Sequence, residues 1–188
     1  NWEEYADAIL SLADEFSVVR IYLLGGVLDK TPHTREPYVS CACSSDQLKE
    51  EMQKYSMQLS NYEGPGSFAT TLLHFCQDRG GQMVSLTARA TYYPEFNIVI
   101  PYNPKTIRAV VKRLNAMLHL ELDISDLDKQ AGEFESKLNF MASQNPRFQA
   151  YVEELENFSE VKYEEPLGIS PDEAVRLAEE FLKENRED

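Results

Sequence analysis

The stretch VVRIYLLGG, from Val18 to Gly26, decides the fold. Its first part, Val18 to Leu24, is a nearly continuous apolar run that contains two valines and an isoleucine, which is typical of a strand covered on both faces. Gly25 and Gly26 then predict that the strand ends in a tight turn. Because such strands occur in sheets with helices packed on each side, the stretch predicts an α/β protein.

Helices and strands alternate around this stretch. Apolar residues at helical spacing predict a first helix from Trp2 to Phe16. Further strands are predicted at 38–44, 56–62 and 82–90. A short helix capped by Ser45 and a longer helix after Gly64-Pro65-Gly66 lie between these strands. The alternation predicts a three-layer α/β/α fold with a mainly parallel sheet.

Beyond residue 100 the pattern is helical. The pairs Asn103-Pro104 and Asn145-Pro146 and the capping box at 170–173 are helix-start signals, and Ser125 opens a further helix. We therefore predict an α/β domain over 1–120, a helical extension packed on it over 121–158, and a linker with a terminal helix over 159–188. The opening helix would normally follow a strand, which predicts that strands before Asn1 are missing.

Charge and composition exclude several functional classes. The formal net charge is -14, and residues 121–188 alone hold 19 acidic and 7 basic side chains. Such an acidic field repels phosphate backbones and argues against nucleic-acid binding. No window approaches the roughly 20 apolar residues of a membrane helix. Three cysteines, of which Cys41 and Cys43 share one strand face, indicate a reduced, cytoplasmic location.

A ligand pocket is predicted where loops follow parallel strands. The loops after the strands ending at Leu24, near Tyr62 and at Ala90 are expected to converge on one edge of the sheet. Helix N–H groups near Ser67 would attract an anion there. The candidate ligand-binding residues are Gly25, Gly26, His33, Arg35, Glu63, Gly64, Gly66, Ser67, Arg89 and Tyr92. The alternative is that the glycines only make tight turns, and that His33-Thr34-Arg35 orders a long loop by hydrogen bonds.

No catalytic residue, cofactor or metal site is predicted. Gly64-x-Gly66-x-x-Ala69 satisfies a dinucleotide fingerprint, but the preceding strand is polar. Ser67 has no evident base, and the histidines and cysteines show no zinc spacing. The sequence therefore leans away from an enzyme. A small-molecule hydrolase or nucleotide-binding enzyme that uses the same sheet edge is the alternative.

One basic cluster has two interpretations. Lys105, Arg108, Lys112 and Arg113 recur at helical spacing. They either pair with the protein's own acidic helices or contact a partner. Because charge runs seldom mark sites, we expect a solvated or self-paired face.

An ordered set of motifs resembles the family of the second proteasome assembly chaperone. The set consists of LLGG, PHTR, YEGPGS, TARATYY and NPKTIRAVVKRLNAMLHLELDISDLDKQA, and the resemblance covers about Trp2 to Glu156. The resemblance implies a prokaryotic member with a domain similar to the nucleoside phosphorylase and peptidyl-hydrolase architecture. It also implies homo-oligomers, a trimer among them, and a non-enzymatic, assembly-chaperone-like role through protein contacts.

The tail departs from the family pattern. Members that dock to the proteasome end in a hydrophobic residue, a tyrosine and one more residue, whereas this sequence ends in LKENRED. We therefore expect no proteasome docking through the tail, and the protein partners are otherwise open.

Overall fold

A computed structural model describes residues 1–55, 57–60, 66–98 and 100–158. The helices are α1 (Trp2–Glu15), α2 (Asp46–Gln53), α3 (Phe68–Asp78), α4 (Pro104–Leu118), α5 (Ser125–Gln144) and α6 (Pro146–Phe158), with a short 3₁₀ turn at Pro94–Phe96. The strands are β1 (Ile21–Asp29), β2 (Val39–Cys43), β3 (Gln58–Leu59) and β4 (Met83–Thr91). The terminal helix predicted near Ser170 lies outside the described residues.

Local capping explains where the helices begin. The Asn103 Oδ1 accepts the Thr106 N–H at 3.1 Å while Pro104 occupies the first turn of α4. Ser67 and Thr70 form a reciprocal capping box at the start of α3. These side chains satisfy N–H groups that have no partner within the helix. The start signals predicted for both helices are therefore confirmed.

The four strands form one mixed sheet in the order β1-β4-β2-β3. β1 and β4 pair in parallel, and β2 and β3 pair in parallel, but β2 and β4 are antiparallel. The predicted α/β class is confirmed. Two of the three strand pairings are parallel and one is antiparallel, so the sheet is mixed and its mainly parallel character is not confirmed. The likeness to the phosphorylase architecture stays a prediction.

Helices cover both faces of the sheet. On one face, α1 and α3 bury Ala6, Leu10, Leu72 and Cys76 against Met83. On the other face, α2 and α4 pack over the alternating residues of β2 and β4. The core of that face contains Val39, Cys41, Cys43, Leu48, Met52, Val84, Leu86, Ala88 and Ala109. The layers are therefore helix, sheet and helix, as predicted.

A third apolar cluster joins α5 and α6 to the segment after β4. Tyr93, Leu138, Phe148, Val152 and Leu155 are its buried members. The rings of Tyr93 and Phe148 meet edge to face with centroids 4.9 Å apart, an arrangement that aromatic pairs favour. The division of the chain at residue 120 stays a prediction.

Candidate functional site

Gly25 and Gly26 lie within β1 and not in a turn after it. They continue the parallel ladder opposite Thr87 and Ala88. Neither residue has a positive φ. Among the described glycines, the positive φ occurs at Gly80. The prediction that the strand ends at Leu24 is therefore wrong, because β4 offers pairing partners for five more residues. The second half of β1 is also exposed, contrary to a strand covered on both faces.

Because the sheet is mixed, the loops predicted to line one pocket do not all follow strands that end at the same rim. β3 is parallel to β2 and therefore runs opposite to β4, so β3 ends at the rim where β4 begins. The three predicted loops thus do not follow strand ends on one rim, and the convergence argument is wrong. Glu63 and Gly64 lie outside the described residues. Gly66 precedes α3, whose N-cap Ser67 accepts the Thr70 N–H at 3.3 Å.

The remaining candidates lie near the ends of β1 and β4. Tyr92 is exposed, and its N–H donates to the Asp29 carbonyl at 3.0 Å. Arg89 is half-buried on β4, and its N–H donates to the Tyr38 carbonyl at 2.9 Å. Whether any predicted site residue binds a ligand stays a prediction.

His33 is the centre of a buried polar network, which we call the His33 network and define as His33, Tyr93, Lys105, Glu135 and Asn139. The His33 side chain is 1% exposed. The Tyr93 hydroxyl accepts the His33 backbone N–H at 2.9 Å and lies 2.7 Å from Nδ1. The Nε2 lies 3.2 Å from the Asn139 Oδ1. Both ring nitrogens therefore have a partner, as buried polar atoms require.

Burial sets the protonation state of this network. Desolvation lowers the pKa of His33, and the positive charge of Lys105 adds to that effect. A neutral ring that donates from Nε2 to Asn139 and accepts the Tyr93 hydroxyl proton at Nδ1 satisfies both contacts. Desolvation also raises the pKa of Tyr93, which keeps that hydroxyl protonated.

Lys105 is the buried cation of the network. It is 4% exposed, and its Nζ donates to the His33 carbonyl at 2.5 Å and to the Glu135 Oε2 at 2.6 Å. A buried charge needs such partners, because desolvation costs several kcal/mol per ion. Lys105 thereby connects the loop after β1 to both α4 and α5.

The residues after His33 connect the same loop to α6. The Thr34 hydroxyl donates to the Glu156 carboxylate, and Arg35 Nη2 donates to the Glu156 carbonyl at 2.6 Å. Hydrogen bonds therefore order the loop at Pro32 to Arg35. This agrees with the alternative interpretation of the sequence, in which these residues order a long loop. The sequence did not indicate the other partners of this loop, because nothing in their spacing connects them to His33. These partners are Lys105, Glu135, Asn139 and Glu156.

The basic cluster on α4 pairs within the protein. Arg108 contacts Glu36 at 2.6 Å and Asp128 at 3.2 Å, and Lys112 contacts Asp128 at 3.4 Å. Arg113 donates to the Ala109 carbonyl of its own helix at 2.8 Å. The expectation of a self-paired face is confirmed for these contacts.

The outer side of β1, an end strand of the four-stranded sheet, is apolar. We call the outer side of β1 the β1 edge. Leu24 and Leu28 extend from one face of this strand and Val27 from the other, and all three are exposed, Leu28 by 60%. No strand of the described residues pairs with this side. An open apolar groove of about 340 Å³ adjoins it, lined by Ile9, Leu12, Ala13, Phe16, Val18 and Ile21. The groove is itself an exposed apolar surface, and large surfaces of this kind mark sites of protein contact.

The described residues offer little for catalysis. None of them form a group of three or more His, Cys, Asp or Glu side chains that could hold a metal ion. The three cysteines are buried, unpaired thiols. None of the described helices has an apolar stretch long enough for a bilayer span.

A family comparison matches most of the chain. The model of the PAC2 family matches residues 1–142. No curated protein matched the sequence.

Solved structures share this fold. A PAC2 family protein from Streptomyces avermitilis is 27% identical with a TM-score of 0.68, and the match covers 81% of this chain and 61% of that one. A proteasome-assembly chaperone homologue from Mycobacterium tuberculosis is 28% identical with the same TM-score and coverage. An archaeal proteasome activator from Pyrococcus furiosus is 26% identical with a TM-score of 0.56, covering 74% of this chain and 57% of that one. The chain thus spans less than two thirds of the length of these proteins.

Proposed function

Because the chain belongs to the PAC2 family, we propose that it is a protein-binding, assembly-chaperone-like protein that acts through self-association and contacts with other proteins. One observation carries the proposal: the β1 edge exposes Leu24, Val27 and Leu28 beside an apolar groove. A chaperone that binds other chains needs such a surface, whereas an enzyme needs a concave site with convergent polar groups.

The His33 network supports this role by holding the rest of the molecule rigid. Its polar groups are occupied by internal partners and joined to α4 and α5. A histidine whose two ring nitrogens are both bonded inside the protein has no free nitrogen for a substrate proton. The network is therefore assigned a structural role, and the binding surface is assigned to the β1 edge.

Two structural relatives favour the proteasome as one class of partner. A homologue is described as a proteasome-assembly chaperone homologue and another as a proteasome activator. We propose protein partners of that kind for this chain, with a cytoplasmic location. Acidic side chains outnumber basic ones by 32 to 18, so binding to a basic surface on the partner would be favoured at low salt.

An affinity capture with mass spectrometry tests the proposal. We expect the wild-type chain to retain specific proteins that Leu28→Lys loses, because a lysine on the β1 edge places a charge in the contact. Phe140→Lys is the matched control, because Phe140 is an exposed apolar residue of α5, 67% exposed, away from β1. Equal capture by all three chains would contradict the assignment of the β1 edge.

A ligand titration separates this function from an enzyme. Nucleotides and nucleosides added to the protein should leave its melting temperature unchanged, because a ligand that binds the folded state raises it by mass action. A concentration-dependent rise, lost in Arg89→Ala, would favour a nucleotide-binding enzyme instead.

A further inference from the structure

The His33 network lies at the junction between the sheet layers and the last two described helices. Its members come from the loop after β1, the segment after β4, α4 and α5. From α6, the Phe148 ring stacks on the His33 ring with centroids 6.3 Å apart. We use the name α5–α6 seam for the apolar contact beside it, in which Tyr93 meets Leu138, Phe148, Val152 and Leu155. His33 therefore adjoins this seam through Tyr93, Asn139 and Phe148.

The apolar cores of the sheet do not depend on the seam. Among the described residues, the cluster between the sheet and helices α1 and α3 contains no residue of α5 or α6. The cluster under α2 and α4 contains none either, over the same part of the chain. Clusters that share no members can open separately, as contiguous units of a folded protein do. The α5–α6 seam can therefore open while the sheet stays folded.

The hydrogen bonds of His33 leave no place for a second ring proton. The Tyr93 oxygen accepts the His33 backbone N–H at 2.9 Å, and in the neutral ring Nδ1 accepts the hydroxyl proton at 2.7 Å. A protonated ring carries a hydrogen on both nitrogens. The Tyr93 oxygen then faces two N–H groups, and its own proton has no other acceptor among the described residues. A buried donor without a partner destabilises the closed arrangement.

The charged groups around the ring partly offset one another. The titratable groups that face His33 are Tyr93 after β4, Lys105 on α4, Glu135 on α5 and Glu156 on α6. Lys105 forms an ion pair with Glu135, so Glu156 is the remaining acid. Desolvation lowers the pKa of His33 more than the Asn139 contact and the two acids raise it. A proton on the ring is therefore bound more weakly in the closed protein than in an opened one.

We propose that His33 is an acid-sensitive latch: a proton on its ring opens the α5–α6 seam, while the sheet and the helices packed on it stay folded. Opening uncovers apolar side chains of the seam, among them Phe148 and Leu155. The latch acts within one chain, so it does not depend on the partners proposed above.

Amide hydrogen exchange, measured by mass spectrometry on the whole chain, tests the latch. We expect the opening equilibrium of the seam to rise about tenfold from pH 7.5 to pH 5.5, because an opened ring with a pKa of about 6.5 binds a proton that the closed ring does not. Amides of α6 and of the second half of α5 should lose this protection after correction for the intrinsic exchange rate. Amides of β2 and β4 should keep theirs. Carboxyl groups stay charged at pH 5.5, since their ordinary pKa is about 4.

Three variants separate His33 from other groups. His33→Gln removes the titrating ring, so its seam should exchange equally at the two pH values. His74→Gln should respond as the wild type does, because His74 is exposed on α3. Asn139→Asp places a carboxylate beside Nε2 and favours the protonated ring, so its seam should lose no protection between pH 7.5 and 5.5. Melting temperatures show which variants fold, and Asn139→Asp decides the question if His33→Gln does not.

Nitrogen NMR of the labelled protein reports on the ring itself. We expect the neutral tautomer with its proton on Nε2 at pH 7.5, as the contacts with Tyr93 and Asn139 require. A His33 ring that titrates near its ordinary pKa of about 6.5 while the seam stays protected would overturn the latch.

Three exchange results would contradict the latch as well. Unchanged protection of the wild-type seam at pH 5.5 means that no proton opens it. An equal loss of protection in the seam and in β4 means that the whole domain opens and that the response is not local. A loss that persists in His33→Gln assigns the response to other groups.

Discussion

Two neighbouring regions of the chain differ in which side chains they bury. In β1, apolar side chains such as Leu24 and Leu28 are exposed beside unpaired backbone groups. A few residues later, polar His33 is buried in a network where its polar atoms are bonded. The comparison shows that a polar residue is buried in this protein where its polar atoms have partners, and that an apolar residue stays exposed where no element packs against it.

The two regions also differ in what they connect. The His33 network joins residues from the loop after β1, the segment after β4, and helices α4 and α5. The β1 edge joins nothing within the described residues. Substitutions in the network should therefore reduce the stability of the monomer, whereas substitutions on the edge should change association. The following four predictions run from the largest expected effect to the smallest.

Lys105→Ala should cause the largest loss. It leaves the Glu135 carboxylate and the His33 carbonyl without their donor, and breaking a buried pair in this way costs about 3 kcal/mol of unfolding free energy. Urea denaturation measures the change. Lys112→Ala is the control on the same helix, because its exposed pair with Asp128 is worth less than about 1 kcal/mol. Equal losses in the two variants would contradict a buried role for Lys105.

Tyr93→Phe should lower the unfolding free energy by about 2 kcal/mol. The change removes only the hydroxyl oxygen, so it leaves the backbone N–H and Nδ1 of His33 without a partner. Tyr92→Phe is the matched control, because Tyr92 is exposed and a surface change of this kind stays within about 0.5 kcal/mol. If both variants unfold at the same urea concentration, the Tyr93 hydroxyl does not stabilise the network.

Stability should fall as the pH is lowered below about 6.5. Burial holds the pKa of His33 below its usual value, so the unfolded chain binds a proton near pH 6.5 that the folded chain does not. Above pH 6.5 both states are neutral and the effect vanishes. The loss continues toward the folded pKa with a slope of at most about 1.4 kcal/mol per pH unit, the value for one proton.

Melting temperatures measured between pH 7.5 and 5 test this dependence in His33→Gln. We expect the slope to shrink in His33→Gln and to persist in His74→Gln, a change at an exposed histidine of α3. An unchanged slope in His33→Gln would assign the pH dependence to other groups.

Gly25→Ala should have the smallest effect, within about 0.5 kcal/mol of the wild-type monomer. A methyl group there meets nothing nearer than the Leu86 carbonyl at 3.9 Å, and no positive φ is required. In Gly81→Ala the methyl group lies 2.8 Å from the Cys76 Sγ, so we expect a loss of about 1 kcal/mol or more from overpacking. A large loss in Gly25→Ala, measured by dilute thermal unfolding, would restore the predicted turn.

Much of the fold was predictable because its signals are local. The Asn103-Pro104 and Asn145-Pro146 pairs mark the starts of α4 and α6, since each asparagine accepts N–H groups two or three residues away. The alternation of Val39, Cys41 and Cys43 likewise predicts one buried face of β2. Such patterns depend on neighbours along the chain.

The candidate site was less predictable because it depends on distant contacts. The hydrogen bond of His33 to Tyr93 spans 60 positions and that to Asn139 spans 106. The polar side chains of the PHTR motif are visible in the sequence, but the residues that bond to them follow no recognisable sequence pattern. The predicted pocket failed for a related reason, since the direction of β2 against β4 is not encoded in the pattern of either strand.

The amino-acid sequence by itself determined where the helices begin, that β2 buries one face and which family motifs the chain carries, because capping and periodicity act over a few residues. The tertiary structure alone decided that the sheet is mixed, that Gly25 and Gly26 lie inside a strand, and that no strand among the described residues pairs with the outer side of β1. The physical reason is that strand direction and burial of polar groups depend on pairing between segments far apart in the chain.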